Sequence, residues 1–341
     1  MSRDYVRPLV QCDLNHPSNA RSVAGGWGWF THVELLRRGR PPQVVPADDA
    51  KPEQLSRISR MRPAIAGLSM ARPHIMGILN VTPDSFSDGG KHTHGQSALS
   101  HAHAMVTHGA AIIDVGGEST RPGAALVPES EEIERIAPTI AAVRDAGITV
   151  PISIDTRKAS VAEAALQAGA TIVNDVSGFT FDADLAPHCA KAGVPVCVMH
   201  AQGDPSTMQQ DPRYDDVLLD VFDYLESRVE ALAAQGIARD QIIVDPGIGF
   251  GKTLAHNLAL LNRISLFHSL GAPILLGTSR KRFIGTIGNA PQADTRAPGS
   301  IATALAAIAQ GIQIVRVHDV ADTAQALALW SAVQAGEFGD G

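Results

Sequence analysis

A (β/α)8 TIM barrel with a small N-terminal extension is the fold class this 341-residue α/β chain predicts. Three observations predict it. From residue 74 on, short apolar β-rich runs alternate with stretches of helical spacing, eight times over about 260 residues, the usual length of such a barrel. Seven of the helical stretches stop at a Gly that an apolar run follows within a few residues, as expected of a left-handed C′ position. The strand runs are continuously apolar rather than alternating, which is the mark of a parallel sheet covered on both faces. A doubly wound open sheet is the competing architecture. It normally has fewer strands, and no GxGxxG follows the first strand here.

Residues 1–72 differ from the rest and form a first unit, with the barrel over 73–336. Trp27 and Trp29 lie in AGGWGWFTHVELL, followed by Arg37 to Arg40, Pro41-Pro42 and VVPADDAKPEQL. This predicts short strands, turns and one small helix: a subdomain covering one end of the barrel, or a partner or lid element. The first barrel strand, 75–79, ends at Asn80 and opens into a polar Gly-, Ser- and Asp-rich segment carrying Phe86. The glycine stops then follow: Gly109 before AAIIDVGG, Gly147 before ITVPISID, Gly169 before ATIVNDV and Gly193 before VPVCVMH. Gly236 precedes IARDQIIVDPG, Gly271 precedes APILLGTS and Gly311 precedes IQIVRVHD; a last helix over 321–335 ends at Gly336.

Composition narrows the function classes. The chain is 45% hydrophobic and 18% charged, with a net charge of −7 from 28 basic and 35 acidic residues. Without a basic run, nucleic acid and anionic membrane are not expected partners. Three cysteines without metal or redox spacing read as reduced thiols, which fits a cytoplasmic protein. The first residues carry no apolar signal core, and no run approaches the roughly 20 apolar residues of a membrane span.

In a barrel of this type the site lies at the C-terminal ends of the strands. Those ends read Asn80, Glu118-Ser119-Thr120-Arg121, Asp155-Thr156-Arg157, Asn174-Asp175, Met199-His200, Asp245, Ser279-Arg280-Lys281 and Arg316-Val317-His318-Asp319. All eight are expected to point into one bowl, divided by charge. Asp155, Asn174 and Asp245, walled by Met199 and Phe250, suit a flat heterocycle with an amino/ring-NH edge. Taken singly, Asp155 would serve as well as the N-cap of a helix starting near Ala159, and Asp245-Pro246-Gly247 as a turn. Lys281, Arg316, His318 and Arg121, with Asn80, suit a phosphate or diphosphate and a divalent ion such as Mg²⁺, which uses few protein ligands. The bland alternative is a set of solvated charges, but Arg316 and His318 alternate within an otherwise apolar strand. GIGFGKT (247–253) is one residue short of a P-loop and follows a late strand. The His-rich stretch from His92 to His108 lacks Cys or carboxylates at ligand spacing.

These stretches together resemble the dihydropteroate synthase family: MGILNVTPDSFSDGG (76–90), IIDVGGESTRPGA (112–124), PISIDTRK (151–158), IVNDVSG (172–178), VMH (198–200), DPGIGFGK (245–252), SRKRFIG (279–285) and RVHDV (316–320). The match runs in order over about 73–335 and leaves the first 72 residues outside it. The resemblance implies a transferase of folate biosynthesis that condenses 6-hydroxymethyl-7,8-dihydropterin diphosphate with 4-aminobenzoate. It implies that Asp155, Asn174, Asp245 and Lys281 hold the pterin, with Met199, Phe250 and Gly277 shaping the slot and Thr120 touching that substrate. It implies that Asn80 binds Mg²⁺ and that Arg316 and His318 hold the diphosphate oxygens. Loops 81–91 and 116–126 would then close over the aminobenzoate, with Phe86 and Pro122 flanking it and Ser279 near its carboxylate. A homodimer is the family expectation, through helices such as 299–310 and 322–335. Arg282 departs from the Ser the family often has there, which bears on carboxylate and sulfonamide binding. A pterin-binding methyltransferase barrel that serves a corrinoid would not need the SRK lysine or the NVTPDSFSDGG loop. A non-catalytic homologue would not need the intact set of catalytic positions.

Overall fold

The computed structural model describes residues 3–81, 91–119, 126–203 and 207–336. Thirteen strands and ten α-helices are found among the described residues. Eight of the strands form one parallel sheet: β6 (His74–Asn80), β7 (Ile112–Gly116), β8 (Ile152–Asp155), β9 (Ile172–Asp175), β10 (Val196–Met199), β11 (Ile242–Asp245), β12 (Leu275–Leu276) and β13 (Ile314–Val317). The ladder runs β11-β10-β9-β8-β7-β6-β13-β12. A parallel bridge between Val244 and Ile274 then joins its two ends, and the sheet closes into a barrel. The intervening helices are α2 (Lys91–Thr107), α3 (Glu129–Asp145), α4 (Ala159–Gln167), α5 (Leu185–Ala192), α6 (Val217–Ala234), α7 (Leu254–Asn262), α8 (Arg282–Ile287), α9 (Ala297–Ile308) and α10 (Val320–Ala335).

The expected helix stops are where the sequence places them. Gly109, Gly147, Gly169, Gly193, Gly236, Gly271, Gly311 and Gly336 all have positive φ. Gly271 differs in one respect: it ends a 3-10 segment, Ile264–Leu270, that follows α7.

The strands alternate in where their apolar side chains go, although their sequences do not alternate in polarity. Ile75, Leu79, Ile113, Val115, Ile154, Val173, Val198, Val244 and Val315 belong to the large cluster between sheet and helices. Met76, Ile112, Ile172, Cys197, Ile243, Leu275 and Ile314 form a separate buried cluster inside the barrel. Ile65 and Met70, both fully buried, complete this inner cluster and plug the barrel from its N-terminal end. Sequence pattern groups that segment with the extension, but it packs as the barrel floor.

The extension itself has β1 (Tyr5–Pro8), β2 (Arg21–Ser22), β3 (Trp29–Phe30), β4 (His32–Arg37), β5 (Arg40–Pro46) and α1 (Pro52–Ser59). The sheet β1-β4-β5 is antiparallel, and Val6, Val23, Phe30, Val33, Leu55 and Ile58 give it a small core of its own. It docks on α6 and on the 264–270 segment. Tyr5 meets Phe222 edge-on at 5.5 Å between ring centroids, and Trp27 Nε1 donates to Ile308 O at 2.9 Å. Arg62 enters the base of the barrel and donates to His268 O at 3.0 Å.

Candidate active site

The pleat decides what faces the bowl. Side chains two apart on a strand share a face, so the residues beyond the inner apolar cluster point the same way as its members. They are Asp114, Asn174, Met199, Asp245, Gly277 and Arg316, with Asn80 and His318 at the rim. Gly116 pairs with Asp155, and Asp155 with Asn174, in register across β7, β8 and β9. A Cβ built on Gly116 would lie 3.7 Å from Asn80 Oδ1 and 4.0 Å from Asp155 Oδ2, so the amide and the carboxylate flank that glycine.

Asp155, Asn174 and Asp245 are all buried. Burial pushes the Asp155 carboxyl up to about 7, with Arg316 opposing the shift and Asp114 adding to it. Burial also raises Asp245, against the pull of Lys281. Among the described residues, Asp155 Oδ1 has no hydrogen-bond partner, and neither has Asp114 Oδ1. A buried acceptor without a donor is costly, so both oxygens are suited to an incoming N–H edge.

The charge halves expected from the sequence are not separate. Arg316 Nε donates to Asp114 Oδ2 at 2.5 Å and Nη2 to Asp155 Oδ2 at 2.8 Å, so the cation stands against the acceptors. Lys281 is also on their side: it donates to Ile248 O and sits 4.6 Å from the Phe250 ring centroid. Burial lowers the Lys281 ammonium to about 8. Ser279 Oγ accepts from His318 N–H at 3.1 Å and lies 3.0 Å from its Nδ1, which fixes the imidazole at the rim. Gly277 lies beneath, with a Cβ there 3.9 Å from Arg316 Cβ. Between Ser279 and Lys281, Arg280 has φ +59° and turns outward to a two-point pair with Asp319. That left-handed residue lets its neighbours face the bowl.

Several strand-end residues do not enter the bowl, contrary to expectation. Glu118 accepts from Arg157 Nη2 at 2.6 Å and from Lys158 Nζ at 2.7 Å, in a buried cluster with Glu132 against α3. Asp175 accepts from the backbone of Ser177 and Phe179. Arg280 and Asp319 pair with each other. Asp155 does not cap a helix: Lys158 occupies the N-cap of α4, and Ala159 N donates to Asp182. Phe86, Thr120, Arg121 and Pro122 lie outside the described residues. Asp114 was not singled out from the sequence. Its signal was there, a lone carboxylate inside the apolar run IIDVG.

The GIGFGKT loop is not a phosphate cradle. Gly247 has φ +67°, and a Cβ there would meet His200 O at 1.8 Å, so only glycine fits. Two of the loop's glycine amides are already used: Gly247 N donates to Asp245 Oδ1 and Gly249 N to Asn257 Oδ1, each at 2.7 Å. Its carbonyls are held by side chains. Ile248 O accepts from Lys281, Gly249 O from Gln209, Phe250 O from Lys252 and Gly251 O from Tyr214.

A family model described as pterin binding enzyme matches residues 76–318, most of the barrel just described. The dihydropteroate synthase of Escherichia coli (strain K12) is 46% identical over 260 residues, 76% of this chain and 91% of that protein. The chain belongs to the dihydropteroate synthase family. Among solved structures, the Yersinia pestis dihydropteroate synthase with a sulfonamide drug superposes with a TM-score of 0.75 at 45% identity, covering 81% of this chain and 100% of that one. The Xanthomonas albilineans dihydropteroate synthase with 4-aminobenzoic acid gives 0.75 at 43% identity, covering 80% and 98%. All of residues 1–72 precede the span that the family model matches.

Proposed function

We propose that the bowl is the site of dihydropteroate synthase chemistry and that its residues divide the work as follows. The enzyme joins 4-aminobenzoate to the exocyclic CH₂ of 6-hydroxymethyl-7,8-dihydropterin diphosphate: a C–N bond forms, the C–O bond to diphosphate breaks, and one arylamine proton is lost. Asp155, Asn174 and Asp245 hold the amino and ring N–H edge of the pterin, and Lys281 donates to its acceptor side. Phe250, Met199 and Gly277 give the slot its flat shape. The single observation that carries this reading is the pair of buried carboxylate oxygens, on Asp114 and Asp155, that have no hydrogen-bond partner among the described residues.

The departing diphosphate is assigned to Arg316, whose guanidinium stands against Asp114 and Asp155, and to His318 at the rim. Neutralising that leaving group is the main electrostatic task, and a weak arylamine nucleophile then needs no strong base. Thr120 and the aminobenzoate flanks Phe86 and Pro122 complete the site by resemblance alone, with Ser279 beside the carboxylate and Arg121 joining the cations on charge pattern.

Among the described residues no group of three His, Cys, Asp or Glu side chains could hold a metal. One rim amide, Asn80, nevertheless fits Mg²⁺, because that ion takes most of its shell from phosphate oxygens and water. Bound there, Mg²⁺ would supply charge neutralisation of the diphosphate. No helix among the described residues is long and apolar enough to cross a membrane. That agrees with a cytoplasmic enzyme, and exposed Leu329 and Val333 on α10 agree with a homodimer through that helix.

The test is diphosphate release from the pterin diphosphate with and without 4-aminobenzoate. Release should require both substrates and a divalent ion. Release indifferent to 4-aminobenzoate would overturn the assignment. Asp155→Ala should cost orders of magnitude in kcat/KM, and Asn80→Ala should raise the Mg²⁺ concentration needed for half-maximal rate.

A further inference from the structure

We propose that the N-terminal extension is a working part of the active site, with Arg38 positioning the Phe250 wall of the pterin slot through Asp220 and Tyr214. The proposal rests on the synthase reading above.

The path is short and continuous. Arg38 lies in the turn between β4 and β5, ahead of the span matched by the family model. Its Nη1 donates to Asp220 Oδ1 at 2.5 Å, and its Nη2 to Asp223 Oδ2 at 2.6 Å, both on α6. The other Asp220 oxygen accepts from the backbone N–H of Asp215 at 3.0 Å and of Asp216 at 3.1 Å. One carboxylate thus fixes the chain where it enters α6. Asp216 caps that helix, accepting from Leu218 N and Leu219 N.

Tyr214 is the next residue upstream. Its OH donates to Gly251 O at 2.7 Å, and its ring packs edge-on against His256 at 5.0 Å. From the same connection, Gln209 donates to Gly249 O. Phe250 lies between those two carbonyls, with Lys281 over its ring. The loop also lies close against the start of that connection: a Cβ on Gly251 would be 2.5 Å from Gln202 O. A displacement at Asp215 and Asp216 is therefore passed to Tyr214 and to the wall of the slot.

Docking alone does not need this arrangement. The extension is also tied to α6 by Arg3, which pairs with Asp223 and Glu226 away from the entry to the helix. Arg3 and Arg38 make comparable exposed pairs, but only Arg38 reaches the residue that pins the 215–216 backbone.

That difference supplies the experiment. Arg38→Ala, Arg38→Lys, Arg3→Ala and Tyr214→Phe would be compared in the full-length chain by steady-state kinetics and by titration with 6-hydroxymethylpterin. Arg38→Ala should raise the KM for the pterin diphosphate, and the Kd for the pterin, by about two- to five-fold, as expected for a half-exposed ion pair. Its kcat should stay within about two-fold of wild type. Arg38→Lys should recover part of the loss, Tyr214→Phe should reproduce it, and Arg3→Ala should leave KM and Kd unchanged. Equal shifts from Arg3→Ala and Arg38→Ala, or a loss of thermal stability with KM and Kd untouched, would reduce the extension to a docked cap and overturn the proposal. Should the wild-type chain bind pterin but release no diphosphate, the synthase reading would fall, while the titration would still decide the role of Arg38.

Discussion

Asp155 and Lys281 set opposite limbs of one pH profile. The Asp155 carboxyl, raised to about 7 by burial, must be ionised to accept two N–H groups from the pterin. Lys281, lowered by burial to about 8, must be protonated to donate. Pterin affinity should therefore rise as pH rises toward 7 and fall as pH passes 8, a narrow bell. Titration calorimetry between pH 5.5 and 9.5 would read it, and in Asp155→Asn the acid limb should vanish with most of the affinity. A profile flat across this range would show that neither group titrates against the ligand. Asp155, Asn174 and Asp245 were legible in the sequence because each is polar at the end of an apolar run. The partners of Arg316 were not. Asp114 sits one layer deeper, and its pairing with Arg316 crosses β6, because the ladder sets the last strand, β13, beside the first barrel strand, β6. The split of the bowl into an acid half and a basic half failed for the same reason.

The loops after the strands carry two opposite lessons. In the loop after β11, GIGFGKT looks like a phosphate motif because glycines are frequent. Its geometry shows why they are there: backbone against backbone at Gly247, and carbonyls rather than amides offered to side chains. Gly247→Ala should cost about 1–2 kcal/mol for the left-handed backbone alone, and more from the contact with His200 O. Urea denaturation would measure the loss, and an unchanged midpoint would mean that the loop can relax. Glu118 and Arg157, polar strand-end residues that the sequence pattern assigns to the bowl, instead build a buried cluster with Lys158 and Glu132. Charged residues at strand ends carry no sequence mark of which way the chain will turn. Burial raises the Glu132 carboxyl, and Lys158 is the cation that opposes this. Lys158→Met should cost about 3–5 kcal/mol by leaving the carboxylates short of a buried partner. Its sign with pH follows. A carboxyl raised in the folded state favours the protonated fold, so the Tm of this variant should fall as pH rises through the raised value. Differential scanning calorimetry at pH 5 and pH 8 would separate this from a loss that ignores pH.

For the molecule as a whole, the open question in the sequence was whether the first 72 residues are a separable unit. Periodicity made the barrel legible because each strand and helix repeats one local pattern. The extension has no repeat, and its boundary lies where packing puts it. Val6, Phe30, Val33, Leu55 and Ile58 make a small core that belongs to the extension, whereas Ile65 and Met70 belong to the barrel floor. The two parts should therefore respond differently to truncation. Removing residues 1–60 keeps the plug and should leave a folded barrel with a lower Tm and a weaker hold on pterin, since Tyr5 no longer covers Phe222 and Arg38 is gone. Removing residues 1–72 also uncovers Met76, Ile112, Ile172, Ile243 and Ile314 at once. Losing a single buried Ile or Met side chain to Ala costs about 2–5 kcal/mol, and the whole molecule's margin is about 5–15 kcal/mol. The longer deletion should thus give an unfolded or aggregated chain. Solubility, calorimetry and the paired variants Ile65→Ala and Met70→Ala in the full chain would test this. A 1–72 deletion as stable as the 1–60 deletion would mean that the inner cluster closes the barrel without its plug.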